Sequence, residues 1–196
     1  DRCNSETKEN GKACVTGMEE LMIRLGEIQT LRIIKKVDFG VYLYDGEDEA
    51  ERVLLPIKQV PTQARVGDEV EVFLYRDSKD RLIATTARPK LTLHHVARLK
   101  VAQVGKVGAF LDWGLEKELL LPYREQTRKV SAGEECLSAL YIDKSNRLCA
   151  TMNVYPYLST ESPYRKEDRV KGTVYEISRN FCAFVAVDDL YSGLIP

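Results

Sequence analysis

The sequence predicts an all-β chain made of small five-stranded barrels in tandem. Three observations carry that expectation. Two long stretches repeat each other at a constant offset. Short runs rich in β-branched and aromatic residues are punctuated by Gly, Asp and Asn turn signals. Within those runs polar and apolar residues alternate with the period of a half-buried strand. The repeat is the firmest of the three. Leu54-Leu55-Pro56, then 67–77 (GDEVEVFLYRD), then 81–85 (RLIAT) return 66 residues later as Leu120-Leu121-Pro122, 133–143 (GEECLSALYID) and 147–151 (RLCAT). A fixed period implies tandem units, here of about 65 residues. Units this small bury little apolar surface unless their strands close on themselves.

Taken in order, residues 1–20 form a polar extension with no apolar core segment, and Met18 reads as the start of the folded protein's own sequence. The first unit spans 22–91. TLRIIKKV and GVYLY read as its first strand pair, with a turn at Asp45-Gly46, and VLLP as its third strand. In VGDEVEVFLYRD the residues Val66, Val70 and Val72 share one parity and are expected to face inward. DSKD at 77–80 is a hairpin turn, and RLIATT closes the unit. Five short strands in so few residues suggest a closed barrel of the OB type, which leaves no exposed sheet edge. The second unit, 96–158, repeats this order. The third, 167–196, reaches only the LIP counterpart of the LLP strand. Its last two strands are expected beyond Pro196, in a longer protein. Val170, Val174, Phe184, Val185 and Leu194 are then partly uncovered, and the segment is either mobile or covered by unit two. The linker near His95 is short and implies packed neighbours. The one carrying Pro156 and Pro163 reads as extended and hinge-like.

Composition narrows the function. With 29 Lys+Arg against 30 Asp+Glu, the chain lacks the basic excess of an indiscriminate polyanion binder, so any phosphate contact must come from a local face. No run approaches the roughly 18 apolar residues of a membrane span. Cys136 and Cys149 fall where the first repeat has Val70 and Ile83, and read as buried, reduced hydrophobes of a cytoplasmic protein. Cys3 and Cys14 could pair or bind metal, but no histidine lies near them and their spacing matches no zinc motif. His94 and His95 sit in a linker, with a solvated or capping role. The acidic run 46–51 reads as a solvated loop. Asp45, Asp48, Asp77, Asp80 and Asp143 all stand at turns, where Asp is favoured for backbone reasons. No nucleophile and base come together, so no enzyme activity, cofactor or metal is expected.

The candidate site lies on the second strand of each unit. It reads Phe39-Gly40-Val41-Tyr42-Leu43, Val107-Gly108-Ala109-Phe110-Leu111 and Phe181-Cys182-Ala183-Phe184-Val185. Strand alternation sends Val41, Leu43, Ala109 and Leu111 inward, and Tyr42, Tyr44 and Phe110 outward. The glycine permits a sharp bend and close approach of a ligand. Phe39, Tyr42, Tyr44, Phe110, Phe181 and Phe184 are candidates to stack bases. Arg32, Lys35, Lys36, Lys100, Lys106 and Arg179 are candidates to hold phosphate. Together they suit single-stranded RNA. The competing reading makes Tyr42, Phe110 and Phe184 packing residues between barrels. Trp113 reads as core or interface because of its large burial area.

These motifs resemble the S1 RNA-binding domain. The stretches RLGEIQTL, DFGVYL, RVLLP, VGDEVEVFLYRDSKDRLIATT and above all GAFLDWGLEKELLLPYREQ are similar to the conserved virulence factor B (CvfB/YitL) family. The resemblance implies a bacterial RNA-binding protein in gene-expression regulation, with tandem S1 domains followed by a winged-helix domain. Two departures stand out. Pro56, Pro122 and Pro196 occupy a position where S1 domains often carry histidine, and Val107 replaces the first aromatic of unit two. These departures imply low affinity for each barrel alone. They also leave open a second reading, a non-catalytic spacer or protein-interaction array whose main nucleic-acid contact lies in the winged-helix domain. RNA target and oligomeric state are not specified by the sequence.

Overall fold

A computed structural model describes residues 23–44, 52–177 and 182–196. The expectations for Cys3, Cys14, Met18, the acidic run 46–51, Asp45, Arg179 and Phe181 lie outside those residues. The described chain is all-β, with single 3-10 turns at 57–59, 123–125 and 155–157.

The first barrel comprises β1 (Ile28–Val37), β2 (Gly40–Tyr44), β3 (Val53–Pro56), β4 (Glu69–Arg76) and β5 (Leu82–Thr85), closed in the order β1-β2-β3-β5-β4. Alternation fills it: Leu31, Ile33, Val41, Leu43, Leu55, Val72 and Leu74 all lie inside and are essentially inaccessible. β1 serves two partners because a bulge after Ile33 bends it, so that its first half pairs β4 and its second half β2. Val66 departs from expectation. It is exposed, because Gly67 at φ +97° turns the chain and β4 begins only at Glu69.

The second unit repeats the design with β6 (Val96–Val104), β7 (Gly108–Asp112), β8 (Leu119–Pro122), β9 (Glu135–Ile142) and β10 (Leu148–Thr151), in the order β10-β9-β6-β7-β8. β8 runs beside β10 without a registered ladder pair, so this barrel is nearly closed. Cys136 and Cys149 are buried and unpaired, as their alignment with Val70 and Ile83 predicts. Burial pushes the Cys149 thiol up to about 11, which keeps it protonated at neutral pH.

The two barrels share packing. Phe73 faces out of barrel one by alternation, yet it is 1% exposed because it meets Trp113 of barrel two edge-on at 5.6 Å. Trp113 is therefore an interface residue. The short linker is held on both sides: Leu93 N–H donates to Gly26 O at 2.8 Å, and Lys90 N–H to Trp113 O at 2.7 Å. His95 Nδ1 lies 2.9 Å from Leu93 O and 3.0 Å from Thr92 Oγ1, the local role expected of a linker histidine.

The third unit is a sheet of β11 (Gly172–Ile177), β12 (Ala183–Val187) and β13 (Tyr191–Ile195). It borrows cover from barrel two: Ala186 and Tyr175 pack on Leu137, Ala139, Val154 and Leu158. Val170, Val174 and Leu194 are exposed as expected, but Val185 is buried. The second linker is only partly extended. Val154 and Leu158 anchor its start, and Ser159 bridges to Tyr191, while residues 160–171 are exposed.

Candidate nucleic-acid interface

In barrel one the register of β1 on β2 places Lys35 directly across from Tyr42. Opposed residues in an antiparallel pair share a face, so Lys35 and Tyr42 stand on the same side of the sheet, and Lys35 is exposed. Phe39 precedes β2, is 56% exposed, and meets Tyr42 edge-to-face at 6.4 Å. Arg52, just before β3, lays its guanidinium over the Tyr42 ring at 4.7 Å from the centroid. Phe39, Tyr42, Lys35 and Arg52 thus form one aromatic and cationic cluster.

Other sequence candidates of this barrel fall away from it. Tyr44 is on the expected strand but only 9% exposed, so it is a covered side chain and not an open platform. Arg32 makes a surface ion pair with Glu69 at 3.4 Å, so part of its charge is already matched. Lys36 is exposed but stands across from the inward Val41.

The glycine at the start of β2 admits a close neighbour of its own chain. A Cβ on Gly40 would overlap the Leu55 carbonyl oxygen, and one on Gly108 would overlap that of Leu121. What approaches closely here is the backbone of the neighbouring strand. Because β3 can come this near, Ile57 N–H reaches Phe39 O at 2.9 Å and the strand end is fixed beside the exposed aromatic.

Barrel two keeps the frame and changes the surroundings. Phe110 is half-buried and stands across from Gln103. Gln103 donates to Glu118 Oε2 at 2.7 Å, so a carboxylate lies where barrel one has Arg52. Lys100 pairs across from Asp112, whose carboxylate also binds Lys90 at 2.8 Å. The hydrogen bonds from Lys90 and from the Gly114 backbone hold Asp112 below the usual carboxylate range. Lys106 is exposed in the β6–β7 turn. Beside it stands Tyr123, which sequence reasoning missed. It is 49% exposed, and its hydroxyl donates to Gly105 O at 2.7 Å. Its N–H reaches toward Val107 O, so it supplies an aromatic next to the place where Val107 replaces one.

In the third unit Phe184 stands across from Glu176 and packs on Tyr175, with ring centroids 6.3 Å apart. It shares parity with Ala186, which is buried on barrel two, so Phe184 lies on the packing side of its sheet. Among the described residues no group of His, Cys, Asp and Glu could hold a metal ion, and no helix is long and apolar enough to cross a membrane.

A five-stranded barrel with the order β1-β2-β3-β5-β4, bearing aromatic and cationic residues on β1, β2 and the approach to β3, defines an S1-type module. The S1 domain family matches residues 25–87 and 95–153. Among individual relatives, the uncharacterized protein YitL of Bacillus subtilis strain 168 is 30% identical over 178 residues, covering 85% of this chain and 58% of that protein. Conserved virulence factor B of Staphylococcus saprophyticus is 28% identical over 144 residues, covering 70% of this chain and 46% of that protein. A crystal structure from Streptococcus pneumoniae, described as a multidomain protein with nucleic acid binding domains, shares the fold. Its TM-score is 0.58 at 22% identity, covering 87% of this chain and 61% of that one. The chain belongs to the conserved virulence factor B family of S1-domain proteins. It spans about half the length of the curated relatives it matches.

Proposed function

We propose that this chain binds single-stranded RNA without catalysing a reaction, in the cytoplasm of a bacterium and in the regulation of gene expression. Family membership supports nucleic-acid binding in general. The observation that carries the finer reading is the Tyr42 cluster, where exposed Phe39, Lys35 and Arg52 surround one half-buried ring. A flat guanidinium over an aromatic ring occupies the geometry a base would take. A base stacking on Tyr42 lies beside or in place of Arg52, which then pairs with phosphate. Lys35 gives a second phosphate contact. Phe110, with Tyr123 and Lys106 nearby, extends the interaction to barrel two, and Lys36, Lys100 and Arg179 contribute long-range attraction.

Base–aromatic stacking is worth roughly 1–3 kcal/mol per base. The double variant Tyr42→Ala, Phe110→Ala is therefore expected to weaken binding by about one to three orders of magnitude. Fluorescence anisotropy with a short polypyrimidine RNA measures it. Unchanged affinity in an equally folded variant removes the stacking assignment.

One observation favours a second reading. Glu118 and Glu176 stand beside the aromatics of units two and three, and carboxylates repel phosphate. The barrels would then be a spacer or protein-interaction array, with the main nucleic-acid contact elsewhere in the whole protein. Absence of RNA binding by residues 1–196 even at low salt supports that reading. Binding that weakens steeply as salt rises supports the first.

A further inference from the structure

We propose that the cleft between the first two barrels is a separate base-binding site, which accepts one nucleobase unstacked from a strand and prefers a base with an exocyclic amino group. This rests on the nucleic-acid reading above, with which it shares Phe110, but not on the Tyr42 face.

The cleft has a volume of about 240 Å³. That lies just below the roughly 300–1,000 Å³ of sites for drug-sized ligands, a size suited to one base with its sugar and too small for a folded strand. Barrel one contributes the β4–β5 turn, with Arg76, Asp77 and Asp80. Barrel two contributes Phe110, Trp113 and Glu118, with Arg147 from its own β9–β10 turn. Neither barrel forms the site alone.

Its walls are fixed from both sides. Arg76 Nε donates to Asn146 O at 2.9 Å, and Arg147 Nε lies 3.3 Å from Asp80 Oδ1. Lys117 Nζ donates to the carbonyls of Arg76 and Asp77 at 3.1 and 2.9 Å. Trp113 donates from Nε1 to Lys117 O at 2.6 Å and is 2% exposed, so it is a wall and not a stacking platform. Phe110, half-buried, is the aromatic that a base can cover. Gly105 lies against its ring edge, where a Cβ would come within 3.0 Å of Phe110 Cε2.

The charge balance selects what enters. Arg76, Lys117 and Arg147 offset Asp77, Asp80 and Glu118, so the cleft does not concentrate phosphate and a neutral base is the better occupant. Each carboxylate has about four acceptor sites. Glu118 spends one on Gln103 and Asp80 one on Arg147, so acceptors remain for an amino group. Cytosine N4 is the type of donor that Asp and Glu recognise, and uracil has an acceptor there instead.

The chain has a single tryptophan, and it lines this cleft, so tryptophan emission reports occupancy directly. Titration of the full chain with cytidine monophosphate is expected to change Trp113 emission saturably, with uridine monophosphate at least about fivefold weaker. Phe110→Ala and the bulk-conserving Phe110→Leu should both weaken the response, and Tyr42→Ala should leave it intact. Anisotropy of labelled RNA is recorded in parallel. RNA that binds by anisotropy with no change in Trp113, together with no response to either nucleotide, overturns the cleft and spares the RNA reading. A cytidine response without RNA binding keeps the cleft and defeats the RNA reading. Equal responses to the two nucleotides overturn the amino-group preference.

Discussion

Across from Tyr42 stands Lys35, and across from Phe110 stands Gln103. Two residues before the Leu that pairs with each aromatic, barrel one has Arg52 and barrel two has Glu118. The ring of barrel one carries a guanidinium, while the place corresponding to that guanidinium in barrel two holds a carboxylate bound to Gln103. The backbone beneath is nearly the same: Gly40 and Gly108 have φ values of +156° and +157°, and each lies against a carbonyl of the next strand. The repeat preserves the close strand contact at this glycine and has diverged in what surrounds the outward ring. Likeness of fold therefore says little about equality of binding, and the two faces should be treated as different sites.

Breaking the shared frame gives the largest expected effect. Gly40→Ala and Gly108→Ala each force a Cβ into a backbone carbonyl that cannot yield without opening the β2–β3 or β7–β8 pairing. Each is expected to destabilise its barrel by about 3 kcal/mol or more, measured by urea unfolding. Similar destabilisation of both confirms that the frames are equivalent. A tolerated substitution in one barrel shows that they are not.

Exchanging the surroundings comes next. Lys35→Gln with Arg52→Glu gives barrel one the groups of barrel two, and about a 10- to 100-fold loss of RNA affinity is expected at low salt. The dependence of log K on log salt should flatten by about 0.7 for each phosphate that the protein no longer neutralises. The reverse exchange, Gln103→Lys with Glu118→Arg, should strengthen binding. If neither exchange alters the salt dependence, the cationic surroundings of the rings do not set affinity.

Much of this was legible from period-two patterns. Leu31, Ile33, Val41, Leu43, Ala109 and Leu111 lie inside as their parity requires. Parity failed where something outside the strand intervened. Val66 shares the parity of Val70, but the turn at Gly67 ends the register. Phe73 reads as outward and is buried because a second barrel covers it, which no single-strand pattern reveals. Arg52 was hidden at the end of an acidic run that reads as a solvated loop. The signal was nonetheless present: Leu54 pairs with Tyr42, and counting back two residues puts Arg52 on the same face. Tyr123 follows the LLP strand and reaches the β6–β7 turn because β8 ends beside the start of β7, beyond the range of local spacing.

The smallest effect tests a second divergence between the repeats. Asp77 and Asp143 begin equivalent turns, and each accepts two backbone N–H groups through Oδ1, at 2.8 and 3.0 Å. Their arginines differ. Arg81 closes on Asp77 Oδ2 at 2.9 and 2.6 Å, whereas Arg147 turns to Asp80 of barrel one at 3.3 Å. Burial alone would raise the Asp77 pKa, but hydrogen bonds from the Arg81 side chain and from the backbones of Arg81 and Lys79 outweigh it and hold the carboxyl below its ordinary range. A carboxyl depressed in the folded state contributes stability that is complete above its unfolded pKa, near 3.9, and is lost as pH falls through the folded value. The urea midpoint of Asp77→Asn should therefore lie below that of the unsubstituted chain by a constant amount above about pH 5, and the gap should close below about pH 4. A gap that persists unchanged into strong acid would mean that the Arg81 contact does not depend on the charge of Asp77. The two turns would then be alike in resting on the backbone N–H bonds to Oδ1, as in the second barrel, where the corresponding arginine bridges to the first.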